Sequence, residues 1–237
     1  MIPEKLTQEL KKACGAGLKS VILYGSAAAG DHTGKKSDYN VLVVVEDLGV
    51  DTLNAISKTA SAWAKAGNPA PLLFTEERLA QATDVFPIEL LDITECHKVL
   101  FGSNAVEGLK ISTDNLRLQI EHELRGALIR LRQSYLLTLG KENAVADLMV
   151  GSLSTFLVLF RAALRLFIND VPQKKFQALE KLAGHLSFDV SVFQTLEKLK
   201  DGSAKTKDVN VPELFNNYLT TVVRVIDAVD AHIQQEK

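Results

Sequence analysis

Two short stretches of this chain combine residue types that could do chemistry together. Gly25-Ser26 closes an apolar run at residues 21–24, and Ser37-Asp38-Tyr39-Asn40 leads into a second apolar run at residues 41–45. A glycine at a strand end lets the main chain come close to an anion, and the serine hydroxyl and the amides that follow can donate to phosphate oxygens. Asp38 and Asn40 stand two apart, so on an extended chain they project to the same side, toward the turn. Phosphate ligands and candidate metal ligands thereby converge, with one carboxylate and one neutral amide carbonyl for a hard cation.

These groups need a scaffold, and the flanking sequence supplies its signals. Leu6, Leu10 and Ala13 share one face of a helix over 3–14, which Gly15 and Gly17 end. The runs 21–24 and 41–45, rich in β-branched residues, read as adjacent buried strands joined by a polar loop. Asp51 or Thr52 can cap a helix reaching Ala66, with Leu53, Ile56, Ala60 and Trp63 inward. Gly67-Asn68-Pro69 then breaks the chain before a short strand at 71–74. Residues 86–93 read as a further strand, and 99–102 as a short extension. Strands alternating with helices indicate an α/β layer.

A strand, Gly-Ser, a loop, and then Ser-Asp-x-Asp entering a strand is the pattern of the nucleotidyltransferase superfamily, and residues 18–102 resemble it. The resemblance implies an α+β protein, with a nucleotidyltransferase-like domain on a small mixed sheet over 1–110 and an all-helical domain over 111–237. It implies Gly25, Ser26 and Ser37 as nucleotide-binding residues, Asp38 as the principal magnesium ligand, and transfer of a nucleotidyl group from an NTP to a small acceptor. A third carboxylate is expected on a later strand. Glu89 and Asp92 are the candidates in 86–93; being three apart they would face opposite sides of a strand, and Glu89 is favoured as metal ligand and general base. The sequence departs from the pattern where the second aspartate is Asn40, which weakens or removes one metal site. Ala27, Ala28 and Ala29 also stand where an arginine often follows the turn, with Lys35 and Lys36 as substitutes. A catalytically silent member, kept as a nucleotide sensor or a partner-binding module of antitoxin or scaffold type, is therefore the competing reading.

The second half is helical in pattern. Leu116, Ile120, Leu124, Leu128, Leu131, Tyr135 and Leu139 form one stripe, residues 144–168 are apolar on most of their circumference, and shorter helices are expected near 174–185 and 189–200. Asn210 and Glu213 make a capping box, with Pro212 in the first turn of a last helix running to about Gln235. Its inward face is Leu214, Tyr218, Val222, Val225, Ile226, Val229 and Ile233. A four- or five-helix bundle follows. Arg117 and His122 fit the spacing of the HEPN ribonucleases, but they read as outer-face residues with Glu121, Glu123 and Arg125. His97 reads as a surface or packing histidine.

Composition narrows the partners. With 27 basic and 29 acidic residues the chain has no positive field, so nucleic acid is not the expected partner. Cys14 and Cys96 form no metal or disulfide pattern and read as buried thiols. The N-terminus has no apolar leader, and residues 148–160 are too short to span a bilayer, so a cytoplasmic protein is expected, with no membrane partner. A homo-oligomer through the apolar helices stays open.

Overall fold

The computed structural model describes residues 1–28, 38–112 and 115–232. The chain divides into two compact units, Met1–Asn115 and Leu116–Lys237.

The first unit is built on a four-stranded mixed sheet in the order β3-β2-β1-β4. Strand β1 (Leu18–Tyr24) pairs antiparallel with β2 (Asn40–Val45) and with β4 (His97–Gly102), while β3 (Leu72–Phe74) lies parallel to β2. Side chains alternate across a strand, and the alternation sorts the core into two layers. Val21, Leu23, Val41, Val43 and Val45 pack with Leu6 and Leu10 of α1 (Pro3–Cys14) and with Ile56 and Trp63 of α2 (Val50–Lys65). On the opposite face Ile22, Leu42 and Val44 pack with Leu79 of α3 (Glu76–Gln81) and with Leu90 and Ile93 of α4 (Pro87–Glu95).

Two sequence expectations change here. Residues 86–93 form no strand but enter helix α4, with Pro87 in its first turn, where a fixed φ and a missing N–H suit a helix start. Their apolar run fits a buried helix face as well as a strand. The extension at 99–102 is instead the body of β4, an edge strand whose partners lie some eighty residues back on β1. Smaller differences concern α2, which begins at Val50 with Gly49 at its cap and leaves Leu53 exposed, and the two cysteines, both half-buried rather than buried.

Among its described residues the second unit has five α-helices: α5 (Leu116–Leu137), α6 (Glu142–Leu164), α7 (Lys175–Leu186), α8 (Ser191–Asp201) and α9 (Val211–Ala231). Helix α6 is long and apolar enough to cross a membrane by length and composition, yet it packs against each of the other four. Phe156 and Phe160 of α6, Phe193 of α8 and Tyr218 of α9 form its aromatic centre, with ring centroids 5.5–6.2 Å apart. The Asn210 side chain accepts from the Glu213 amide at 3.3 Å, completing the expected cap of α9. Phe215, rather than Leu214, is the buried residue of its second turn, and Ile233 lies outside the described residues.

Candidate functional site

The predicted turn sits at the end of β1. Gly25 has φ +75°, a conformation that costs a residue with a Cβ, and it opens a single 3₁₀ turn, Gly25–Ala27. The Ala28 amide closes this turn by bonding to the Gly25 carbonyl at 3.0 Å. Cys96, at the cap of α4, fixes the turn from the other side: its carbonyl accepts from the Gly25 amide at 3.3 Å. Ser37, Lys35, Lys36 and the side chain of Ser26 lie outside the described residues.

The strand register brings Asn40 to the turn. Asn40 is the first residue of β2 and pairs with Tyr24. A Cβ added to Gly25 would lie 3.5 Å from the Asn40 amide nitrogen, so the two residues are in immediate contact distance. Asp38 precedes β2 and is exposed. Between them Tyr39 is tied down on the far side of the sheet: its amide donates to the Asn68 side chain at 3.0 Å, and its ring contacts Trp63 at 6.1 Å. Asn68 in turn donates to the Trp63 carbonyl, and the indole N–H donates to the Pro69 carbonyl at 2.8 Å. The Gly67-Asn68-Pro69 break thus does more than end a helix. It fixes the residue that separates Asp38 from Asn40, a long-range role that no local pattern in the sequence carries.

Tyr24 is the residue that sequence reasoning passed over. It lies on the same sheet face as Ile22 and Leu42, the face covered by α4. Burial, and then the charges of Glu89, Asp92 and Asp38, push its phenol up to about 12, because each disfavours phenolate. All three carboxylates are therefore within electrostatic reach of one hydroxyl. The expectation that Glu89 and Asp92 face opposite ways fails with the strand: three apart on a helix, they lie on neighbouring positions of one side. Glu89 is exposed and Asp92 half-buried. His97 pairs with Tyr24 in the sheet, and its Nδ1 lies 3.2 Å from the Thr94 carbonyl, in keeping with a packing role.

These donors do not fit a two-magnesium centre. Neither β3 nor β4 carries a carboxylate, and among the described residues no three His, Cys, Asp or Glu side chains gather closely enough to hold a metal ion. Asn40, where the resembled pattern has its second aspartate, offers only a neutral amide.

No protein-family model and no curated protein matches the sequence. Among solved structures, the chain is similar to spectinomycin adenyltransferase AAD(9) from Enterococcus faecialis, solved with ATP and spectinomycin. The TM-score is 0.58 and the identity 15%, over 93% of this chain and 96% of that one. The chain has a nucleotidyltransferase fold with a C-terminal helical region. A toxin–antitoxin structure with AMP-PNP is a partial match, with 18% identity and a TM-score of 0.33 over 53% of this chain and 94% of that one. Arg117 is held by Glu121 at 2.8 Å, and Glu121 also accepts from Arg125 at 2.7 Å, which is a charged helix face.

Proposed function

We propose that this protein binds a nucleoside triphosphate at the Gly25 turn and has lost efficient nucleotidyl transfer, so that it acts as a nucleotide-responsive module. The observation that carries this reading is Asn40, which meets the turn at the position where the resembled pattern has its second aspartate. The fold and the positive-φ glycine support binding; the neutral amide, and strands without a third carboxylate, argue against two-metal catalysis. Gly25 and Ser26 hold the triphosphate in this reading, Ser37 joins them, and Asp38 is the one anionic residue of the motif left to meet an ion that arrives with the nucleotide.

Calorimetric titration of ATP and GTP, with and without magnesium, tests the binding, and pyrophosphate release in the same samples tests transfer. Binding without release, weakened about tenfold or more by Gly25→Asp in a protein that still folds, is expected. Pyrophosphate release on adding small hydroxylated acceptors would overturn the loss of transfer. Absence of binding to either nucleotide would overturn the nucleotide reading and leave the fold.

A further inference from the structure

Helix α5 buries Leu116, Ile120, Leu124, Leu128 and Leu131, but its last turn does not follow. Leu136 is 72% exposed, and Leu139, just past the helix, is 81% exposed, with Tyr135 and Leu137 beside them. Single exposed leucines are ordinary; a contiguous group beside a cavity is not. Between this end of α5 and the first turns of α9 lies a cavity of about 450 Å³, lined by Arg132, Tyr135, Leu136, Pro212, Phe215 and Leu219 among others. Tyr135 and Phe215 stack inside it, with ring centroids 4.3 Å apart and planes 8° from parallel. The α9 lining recurs at 212, 215, 216 and 219 and the α5 lining at 132, 135 and 136, so the cavity is a groove between two helix faces. Its length from Pro212 to Leu219 is about 10 Å at the helical rise, room for two successive anchors of a third helix.

Charge selects the occupant. Arg132 is the one charged residue among the described lining, and after Glu123 helix α5 carries Arg125, Arg130 and Arg132 with no carboxylate. Arg125 is engaged by Glu121 and Asp230, and Arg130 lines a separate cavity beside α6, whereas Arg132 has no carboxylate partner among the described residues. Glu213, near the groove, is tied to Asn210 at 3.0 Å. A second copy placed by two-fold symmetry would bring Arg132 toward its own equivalent, which is repulsive. The geometry points to a docking groove for an amphipathic helix of another protein, with apolar anchors at one-turn spacing and acidic residues flanking them. This inference is independent of the nucleotide reading.

The test uses the full chain and two fluorescein-labelled helical peptides, with leucines at i, i+3, i+4 and i+7 flanked by glutamates in one and by lysines in the other. Fluorescence anisotropy should show the glutamate peptide binding at least tenfold tighter. Arg132→Glu should reverse that preference, and Leu136→Glu, which is solvent-facing and should keep the helical circular dichroism, should abolish binding of both. Equal binding of the two peptides, binding of neither, or binding unaffected by Leu136→Glu would overturn the inference. So would a concentration-dependent dimer in light scattering that Leu136→Glu dissolves, since a second copy would then cover the face.

Discussion

Asn40→Asp should make the protein less stable without magnesium and restore it with magnesium. The new carboxylate sits opposite Tyr24 in the register and two residues from Asp38, with Glu89 and Asp92 also in electrostatic reach of the same tyrosine. Two residues of extended chain separate the carboxylates by about 7 Å, which gives about 0.6 kcal/mol of repulsion at the dielectric of water and about 2.4 kcal/mol at an effective dielectric of about 20, with exposed Asp38 holding the value below that upper figure. Adding smaller contributions from the two α4 carboxylates, the cost at low salt is about 1–2 kcal/mol, or roughly 4–8 °C in Tm for a unit of this size. If Asp38 and the new aspartate converge on one ion, magnesium at ten times its Kd returns about 1.4 kcal/mol through linkage. Thermal unfolding in EDTA and in magnesium chloride, followed through Trp63, reads both effects, with the parent protein changing little between the two buffers. A variant as stable as the parent in EDTA would mean that residue 40 does not face the carboxylates. A destabilised variant that magnesium fails to restore would refute the convergence of the two side chains on one ion site.

Other perturbations address separate links of the argument. Tyr24 holds its proton up to about 12 while an unfolded tyrosine releases it near 10, so its stability contribution is intact below pH 10 and is lost as pH rises to 12. The loss is roughly 2–3 kcal/mol, and chemical denaturation across that window should show a shallower decline for Tyr24→Phe. Gly102→Ala should cost about 3–5 kcal/mol and unfold the first unit or nearly so, because its Cβ would lie 1.9 Å from the Lys19 carbonyl oxygen at φ +76°; loss of the Trp63 emission shift reports it, and a stable variant would contradict the β1–β4 register. The pair Glu89→Gln and Asp92→Asn should raise the affinity for magnesium-free ATP several-fold by removing like charge from the site; a fall in affinity would show that either carboxylate assists binding directly.

Much of the sheet was legible because it depends on local pattern. Val41 to Val45 alternate between two covered faces, and a continuous apolar run bounded by polar residues is what such a strand requires. The turn at Gly25 was legible for the same reason, since a glycine ending a strand signals a positive φ. The segment 86–93 was not, because Ile88, Leu90, Leu91 and Ile93 satisfy a buried strand and a buried helix equally, and the discriminating signal was Pro87 in the first turn. Correcting that one element changes the site, as Glu89 and Asp92 move from alternatives to neighbours. The α5 stripe shows the complementary limit: periodicity places Leu131, Tyr135 and Leu139 on one face, but not what lies opposite, and the stripe runs out of partners at its end.

Two departures from the resembled pattern, Asn40 and carboxylates that lie on helix α4 rather than on a strand, do not compensate each other. Asn40, where the resembled pattern has its second aspartate, places a neutral amide at the Gly25 turn. The carboxylates of α4 leave negative charge on the same sheet face, where it adds to burial in raising the Tyr24 phenol, but without, among the described residues, the close grouping that turns charge into coordination. A face with negative potential and weak ligand geometry repels a bare triphosphate and accepts one whose charge is already partly neutralised by a bound ion. In the proposed reading, selection for a nucleotide together with its cation, without a protein-held second ion to activate an attacking oxygen, belongs to a sensor rather than to a transferase. What carries function in this reading is the geometry of the turn, set by Gly25 and by the Asn68 clamp on Tyr39, and not the chemistry of the carboxylates.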